Sequence, residues 1–264
     1  MTRNLDTYYR DHWAEVESDR MERYQAMFQW RDSHEVLIAP ADIDIAQVVA
    51  DYGCGPGALS IELARRVGES GKVFALDINR EFLEQTQMLA EREGFAQRLE
   101  AKLMADDRIP TADRSLDRVV CKNVLEYVPD PEVTIREFHR VLKPGGIAHV
   151  IDSDWGAIVL EPLGERFTRI MSAASVAFRT PLIGRKLYGL FRQAGFQDIR
   201  VQVLAGADTT GGMRAVLRNM ASYARVSGQL EEAELEAFVA DVDRAVDEQT
   251  YLALLPQFLV TGHA

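Results

Sequence analysis

A glycine-rich turn near residue 50 is the first segment whose residue types could do chemistry. The apolar run Val48–Ala50 has the character of a strand, and it leads into Asp51–Gly57, which reads DYGCGPG, before a helical pattern begins. In such a turn the backbone N–H groups and the N-terminus of the following helix point at a bound ligand. Gly53, Gly55 and Ala58 also satisfy the dinucleotide fingerprint with Ala in its last place, so an NAD-dependent oxidoreductase is one interpretation.

The acid Asp51 favours a different ligand. A carboxylate beside a pyrophosphate would meet like charge at close range, which opposes binding. The same carboxylate suits a ligand with an ammonium or sulfonium cation, and S-adenosylmethionine carries both and has no phosphate. A second acid, Asp77, follows the strand pattern Lys72–Leu76 and lies 20 residues after Gly57, where an acceptor for ribose hydroxyls is expected. A role as a helix cap would not explain this spacing.

Four further segments follow the glycine loop in order: Ala75–Ile78, Ile109–Asp117, Val124–Asp130 and Arg140–Gly146. Together with the loop they resemble, over residues 46–152, the class I S-adenosylmethionine-dependent methyltransferases. They look most like the small-molecule branch that includes the ubiquinone/menaquinone methyltransferases. The resemblance implies an α/β fold with a doubly wound, mostly parallel seven-stranded sheet of the Rossmann-like methyltransferase type. Helices from the N-terminus and from insertions would cover it.

The resemblance also implies a set of cofactor-binding residues. The glycines and Asp51 would surround the methionine part of the cofactor, Asp77 would bind the ribose hydroxyls and Ile78 would lie against the adenine. The acid beside the adenine amino group is Asp106 or Asp107, of which we favour Asp106, although the spacing to the following Ile-Pro is one residue shorter than usual. The backbone of one further residue, at the end of the fourth strand, would lie near the reactive methyl. The full set is Asp51, Gly53, Gly55, Gly57, Asp77, Ile78, Asp106, Asp107 and Asn123.

Three residues are candidates for catalysis. A sulfonium is already an activated electrophile, so the protein mainly orients the acceptor, and orientation supplies roughly 7–11 kcal/mol of barrier reduction. A base is needed only where the acceptor loses a proton. Asp152 and Asp154 follow the fifth strand, and His12 lies in the N-terminal helix. The alternative roles are a turn and a helix cap for the two acids, and packing for His12. The segment Glu126–Tyr127 stands where many relatives carry a His, which weakens the case for a base there.

Strand and helix patterns that alternate from residue 46 to 152 predict βαβ units and a parallel sheet. Outside this region the patterns are mainly helical, with one or two helices over residues 7–38 and a long acidic helical stretch over residues 213–255. We predict an N-terminal helical cap (1–45), a cofactor-binding α/β core (46–155) and a remainder (156–264) that completes the sheet and adds helices over the substrate, all in one compact domain. One stripe at helical spacing would line an apolar substrate pocket or belong to the core: Met21, Tyr24, Met27, Phe28 and Trp30.

Composition limits the partners of this 264-residue chain. Its 30 Lys and Arg against 41 Asp and Glu give a formal net charge of −11, which opposes binding to nucleic acid or to an anionic membrane surface. No apolar run approaches the roughly 20 residues of a membrane span. The two cysteines, Cys54 and Cys121, exclude a disulfide framework and a four-Cys zinc site, and they favour a cytoplasmic location. We predict a small-molecule substrate and no metal, and the sequence leaves a homodimer open.

The sequence therefore favours an S-adenosylmethionine-dependent methyltransferase that acts on O, N or C of a small molecule, in secondary or quinone-type metabolism, with S-adenosylhomocysteine as the second product. Two alternatives remain. One is an S-adenosylmethionine-binding protein without methyl transfer, such as a pericyclase, a decarboxylase or a regulatory subunit, because such proteins keep the cofactor loop. The other is the NAD-dependent oxidoreductase, which Asp51 and the segment Leu142–Gly146 argue against.

Overall fold

A twisted β-sheet lies at the centre of the chain in the computed structural model, which describes residues 4–264 except for the side chains of residues 19, 22, 25 and 26. Residues 1–3, at the start of the predicted cap 1–45, lie outside the described residues. The strands have the lengths usual for a buried sheet. In chain order they are β1 (Val48–Tyr52), β2 (Lys72–Asp77), β3 (Leu99–Leu103), β4 (Leu116–Lys122), β5 (Leu142–Ser153), β6 (Val159–Glu161), β7 (Gln197–Leu204), β8 (Leu252–Leu254) and β9 (Gln257–His263).

Within residues 4–264, seven of these strands form one sheet in the order β3-β2-β1-β4-β5-β9-β7. The first five run parallel, and β9 is antiparallel to both of its neighbours. The strand order reverses between β1 and β4, which is the place where open α/β sheets bind ligands at the carboxyl ends of their strands. The predicted doubly wound, mostly parallel seven-stranded sheet is confirmed. A separate two-stranded sheet joins β6 to β8.

Helices follow most of the strands, and local sequence explains where several of them begin. Asn79 accepts a hydrogen bond from the Phe82 N–H at the start of one helix, and Asp130 caps another that has Pro131 in its first turn; both arrangements satisfy donors that a helix leaves free. The helices are α1 (Tyr8–Ala14), α2 (Ser18–Met27), α3 (Glu35–Ile38), α4 (Ala58–Arg66), α5 (Arg80–Arg92), α6 (Pro131–Val141), α7 (Gly164–Ala174), α8 (Ile183–Ala194), α9 (Arg214–Ser227) and α10 (Glu232–Asp247).

Apolar side chains cover both faces of the sheet and form a further core away from it. The apolar faces of α6 and α8 pack on one side of the strands, and those of α4 and α5 pack on the other. A separate apolar cluster unites α7, α9 and α10, and Tyr8 of α1 joins it. None of the helices within residues 4–264 is long and apolar enough to cross a membrane.

Three local expectations were wrong or incomplete. The predicted helix over 7–38 is broken into α1, α2, a 3-10 turn and α3. The stretch 213–255 is not one helix, because α9 ends at Gly228, which adopts a left-handed φ of 67°. The rest of the stretch forms α10 and the strand β8. A Pro-Gly-Gly sequence such as that of Lys143–Gly146 ordinarily predicts a turn, but these residues belong to β5 because Leu142 already pairs with Leu116, and a register shift follows between Leu116 and Arg118. The assignments of β5 and β8 depend on pairing with strands distant in sequence, whereas the helix end at Gly228 is local.

Candidate functional site

A cavity of about 430 Å³ opens at the carboxyl ends of the parallel strands. Tyr52 ends β1, Asp77 ends β2, Lys122 ends β4 and Ser153 ends β5, and all four line the cavity. Segments from both ends of the chain close it on the outer side, from Arg10 to His34 and from Met213 to Gln257. The cavity therefore lies at the reversal of strand order and is covered by the segments that the sequence predicted as a cover.

The glycine loop is tied to β2 by backbone hydrogen bonds. The N–H groups of Gly53 and Cys54 donate to the Leu76 carbonyl over 2.8 and 2.9 Å, and the Gly55 N–H donates to Asp77 Oδ2 over 2.8 Å. Gly53 has a φ of 74°, and a Cβ on it would lie 2.3 Å from Val124 Cγ2. The loop thus needs glycine both for its conformation and for its close approach to the turn after β4.

Asp51 is buried beneath this loop, where the Ser60 hydroxyl donates to its Oδ2 over 2.6 Å. The pKa of Asp51 is raised to about 7, mainly by burial and also by the nearby Asp77, while the Ser60 hydrogen bond and Lys122 oppose the shift. A carboxyl group in this state gains most from a ligand that carries a positive charge. The role of Asp51 toward a cationic ligand stays a prediction.

Asp77 connects the loop to the start of α5. Its Oδ1 accepts a hydrogen bond from the Asn79 N–H over 2.9 Å, and its Oδ2 accepts the one from the Gly55 N–H. Burial raises its pKa, although the backbone hydrogen bonds favour the charged form. Each carboxylate oxygen has a second lone pair, so both retain the capacity to accept a ligand hydroxyl. Ile78, beside it, lines the cavity.

The turn after β4 places Asn123 at the cavity wall with a left-handed φ of 55°. Its backbone N–H donates to the Ile151 carbonyl over 2.8 Å, whereas its buried Oδ1 has no hydrogen-bond partner among the described residues. A buried polar atom left in this way is characteristic of a ligand position. Of the two acids proposed for the adenine, Asp107 lines the cavity, while Asp106 accepts the Arg108 N–H on the exposed side of the same loop.

The three catalytic candidates and Gly57 are outside the cavity lining. The two nitrogens of the buried His12 ring face the Ala177 carbonyl and Arg20. Asp152 accepts the N–H groups of Val124, Leu125 and Ser153, so it holds the turn after β4. Their assignment as catalytic residues stays a prediction.

Asp154, the third of these candidates, has the helix-cap contacts that the sequence left as its alternative role. It accepts the Gly156 N–H and pairs with both Nε and Nη2 of Arg185, over 2.5 and 2.7 Å. Asp154 thus accepts two hydrogen bonds from the Arg185 guanidinium and one from the Gly156 N–H. Its carboxylate oxygens are engaged in contacts that stabilise the fold.

Two further charged residues line the cavity: Lys122, which the sequence did not single out, and Glu126, which it considered as a base without favouring it. Lys122 is surrounded by Asp51, Asp152 and Glu126; burial lowers its pKa, and the three acids oppose that shift. Burial raises the pKa of Glu126 well above its usual range, and Asp152 adds to the rise. The signal available in the sequence was position alone: Lys122 ends β4 and Glu126 lies four residues beyond it, and no local pattern marks either residue as facing a ligand.

Aromatic rings form the outer wall of the cavity. Trp13 stacks on Tyr24 with ring centroids 4.9 Å apart, Tyr24 stacks on Phe28 at 5.1 Å, and Tyr127 meets Trp13 edge-on at 5.0 Å. The Tyr24 hydroxyl is hydrogen-bonded to the Tyr223 hydroxyl over 2.9 Å, so α2 contacts α9 across the cavity. Of the stripe at 21–30, four members line the cavity and Met21 packs in the core beside Phe82.

Other proteins resemble parts of this chain in sequence or in fold. The demethylmenaquinone methyltransferase of Lactobacillus johnsonii is 33% identical over 103 residues, which cover 39% of this chain and 42% of that protein. The structure of phosphoethanolamine N-methyltransferase 2 of Haemonchus contortus has a TM-score of 0.66 at 15% identity, covering 97% of this chain and 60% of that one. The structure of the [4+2]-cyclase SpnF has a TM-score of 0.56 at 18% identity, covering 88% and 80%. The last two similarities concern the fold alone.

The chain spans about half the length of the curated relatives it matches. The family model described as a methyltransferase domain matches residues 43–195, which include β1 to β5, the glycine loop and the acids Asp51 and Asp77. That match takes in 153 of the 264 residues and coincides with the sheet that carries the cavity, so the protein belongs to the methyltransferase-domain family.

Proposed function

We propose that the protein binds S-adenosylmethionine and transfers its methyl group to a small-molecule acceptor. The observation that carries the proposal is the pair of buried acids, Asp51 and Asp77, that meets at the glycine loop. A phosphate-bearing cofactor would be repelled there, whereas a cationic one gains from both charges. The family membership supports the same activity, and so does the similarity to the demethylmenaquinone methyltransferase of Lactobacillus johnsonii.

The residues present fit this cofactor. A Cβ at Gly55 would meet no atom within 4 Å, and this open space lies in the cavity that Asp51 also lines, so the methionine part would fit there. Asp77 and Ile78 stand where the ribose and adenine would bind. Asn123 offers a buried side-chain carbonyl oxygen that has no hydrogen-bond partner in the part of the chain that the structure describes. Asp107 would accept from the adenine amino group, because it lines the cavity and Asp106 does not. When bound, S-adenosylmethionine supplies a methyl group that is already activated by its sulfonium charge.

The contribution of the chain would be to hold the acceptor and to exclude water. The aromatic wall from Trp13 to Tyr223 gives an apolar acceptor a rigid surface, and aromatic contacts of this kind favour flat ligands. Orientation in a closed cavity supplies most of the rate enhancement that such a reaction needs. We therefore assign the outer half of the cavity to the acceptor and the half along the glycine loop to the cofactor.

The division into cap, core and remainder belongs to the same proposal. Residues 1–45 and 156–264 would act as covers over the core 46–155, since the outer wall combines α2 with α9. We also propose that the partner is a small molecule. The cytoplasmic location, the homodimer and the lack of a metal stay predictions from the sequence.

Titration calorimetry with S-adenosylmethionine and NADH tests the cofactor directly. We expect saturable binding of S-adenosylmethionine and none of NADH. Transfer of labelled methyl to a panel of small metabolites then tests the activity. Binding without transfer to any member would favour the non-methylating alternative, and binding of NADH in place of S-adenosylmethionine would contradict the proposal.

Cofactor affinity is expected to fall as the pH is lowered through about 7. Asp51, with its pKa raised to about 7, is then protonated in the ligand-free protein, and a cationic ligand must displace that proton. Protonation of one such group weakens cofactor binding by at most about tenfold for each pH unit. Calorimetry at pH 6.0 and 7.5, in buffers of different ionisation enthalpy, measures the affinity and the protons released. A dissociation constant that is equal at the two pH values would contradict this role.

The control variant for this prediction is Asp51→Asn, which should bind more weakly with a flatter pH profile. Asp51→Asn weakens cofactor binding, but it should stabilise the ligand-free protein. Because the folded-state pKa of Asp51 is raised, its stabilising contribution is complete below about 4 and is lost as the pH rises through about 7. The variant without ligand should therefore be more stable than wild type at pH 8, by about 1–3 kcal/mol.

A further inference from the structure

Glu126 is a buried carboxyl group in the wall of the cavity, one turn beyond the end of β4. Its Oε2 accepts the indole N–H of Trp155, and the Tyr127 hydroxyl is hydrogen-bonded to the same carboxyl group. Trp155 and Tyr127 also line the cavity. The carboxyl group therefore stands among the rings that would hold an apolar acceptor, and the fold gives it no Arg or Lys hydrogen bond among the described contacts.

The backbone around Glu126 is fixed from two sides. Its carbonyl oxygen accepts the N–H groups of Arg179 and Thr180 over 2.9 and 3.0 Å. Asp152 accepts the N–H groups of Val124 and Leu125 immediately before it. A group that acts on a substrate proton must be held in one place by its surroundings, and these contacts hold Glu126 while its carboxyl group remains at the cavity.

We propose that Glu126 is the catalytic base that removes a proton from the acceptor, and that the acceptor has a flat apolar body bearing an O–H or N–H group. This inference rests on the methyl transfer proposed above. The acceptor atom forms a bond to the methyl carbon, and the bond between that carbon and sulfur breaks with its electron pair kept by sulfur. The acceptor proton passes to the Glu126 carboxylate, which returns it to water when the products leave.

The charged and titratable neighbours make this transfer sensitive to pH. Asp152 faces Glu126 from β5, Lys122 faces it from β4, and Tyr127 and Trp155 bond to it directly. Burial and Asp152 raise the pKa of Glu126, whereas Lys122 and the two hydrogen bonds lower it. A base whose pKa is raised toward the working pH is better matched to a weakly acidic O–H or N–H. The turnover rate should therefore rise with pH while Glu126 ionises.

The test compares Glu126→Gln with wild type. Gln keeps an oxygen for the Trp155 N–H and cannot take a proton. We expect turnover to fall about 100-fold or more, since general bases contribute 10²–10⁴, while the dissociation constant of S-adenosylmethionine stays within about threefold. The acidic limb of the rate profile should disappear, and Glu126→Asp should restore part of the rate. Glu62→Gln, a buried acid on α4 outside the cavity that is paired with Arg66, is the matched control and should turn over normally.

The acceptors are a series of 4-substituted phenols from 4-methylphenol to 4-nitrophenol, with N,N-dimethylaniline as an acceptor without a proton. Loss of the base should lower the rate of methyl transfer most for 4-methylphenol, whose proton is the least acidic, and less for 4-nitrophenol. The rate with N,N-dimethylaniline, which has no proton to lose, should not change. A structural role of Glu126 would instead lower all three rates equally. Equal losses, or full turnover by Glu126→Gln, would overturn the role of Glu126. Cofactor binding by wild type without transfer to any phenol would overturn the acceptor class. Failure of wild type to bind S-adenosylmethionine would instead contradict the proposed function.

Discussion

Replacement of Asp77 by Asn is expected to weaken the binding of S-adenosylmethionine by about 10- to 100-fold. The carboxylate holds the N–H groups of Gly55 and Asn79 on its two oxygens, and by the proposed function it also accepts the ribose hydroxyls. An amide offers one oxygen in place of two, so one of these donors loses its acceptor. A hydrogen bond to a charged group contributes about 1.5–3 kcal/mol, which corresponds to that range in the dissociation constant. Calorimetry on both proteins measures it.

The matched control is Asp117→Asn. Asp117 also accepts a backbone N–H across the sheet, from Val48 over 2.8 Å, and it lies outside the cavity lining. This variant should lose some stability through its contact with Lys143 and bind the cofactor with wild-type affinity. If Asp77→Asn binds as tightly as wild type, Asp77 does not contact the ribose.

Gly57→Ala is expected to lower the free energy of unfolding by about 2–5 kcal/mol. Gly57 precedes α4 with a φ of 91°, and a Cβ placed on it would lie 2.6 Å from Thr86 Oγ1 and 2.9 Å from Thr86 Cα. The left-handed conformation costs an L residue about 1–2 kcal/mol, and overpacking against α5 adds about 1–3 kcal/mol. The backbone atom of Thr86 cannot move aside as a side chain would. Denaturant unfolding with comparison of the m-values measures the loss.

Gly55→Ala separates the two causes. Gly55 has a φ of 53°, and a Cβ on it would have no atom within 4 Å. This variant should therefore show the conformational cost alone, about 1–2 kcal/mol. Equal losses for Gly55→Ala and Gly57→Ala would mean that close contact with α5 contributes nothing.

The cofactor half of the cavity was predictable from the sequence because its determinants are local. The glycine loop, Asp51 and Asp77 lie within 27 residues of one another, and a strand, a tight turn and a helix suffice to place them. Strands β1 to β5 and their helices were predictable for the same reason, since alternating apolar patterns identify βαβ units. The sequence left Asp106 and Asp107 as alternatives with Asp106 favoured, and only the three-dimensional course of that loop distinguishes which acid faces the cavity.

The acceptor half depends on contacts between distant residues, and no local pattern contains them. The environment of Glu126 includes Trp155, which follows β5. The ion pair that engages Asp154 requires Arg185, 31 residues further along the chain. The pairing of β6 with β8 joins residues about 93 positions apart. Propensity assigned residues 213–255 to helix throughout, and tertiary pairing with β6 prevailed at β8.

The hydrogen bond between the hydroxyl groups of Tyr24 and Tyr223 joins positions 199 residues apart. Bringing such remote points together carries a greater loop-closure entropy than closing the short glycine loop does. We therefore expect the contact between α2 and α9 to open at a lower free energy than the glycine loop, and hydrogen exchange of the two regions measures that difference.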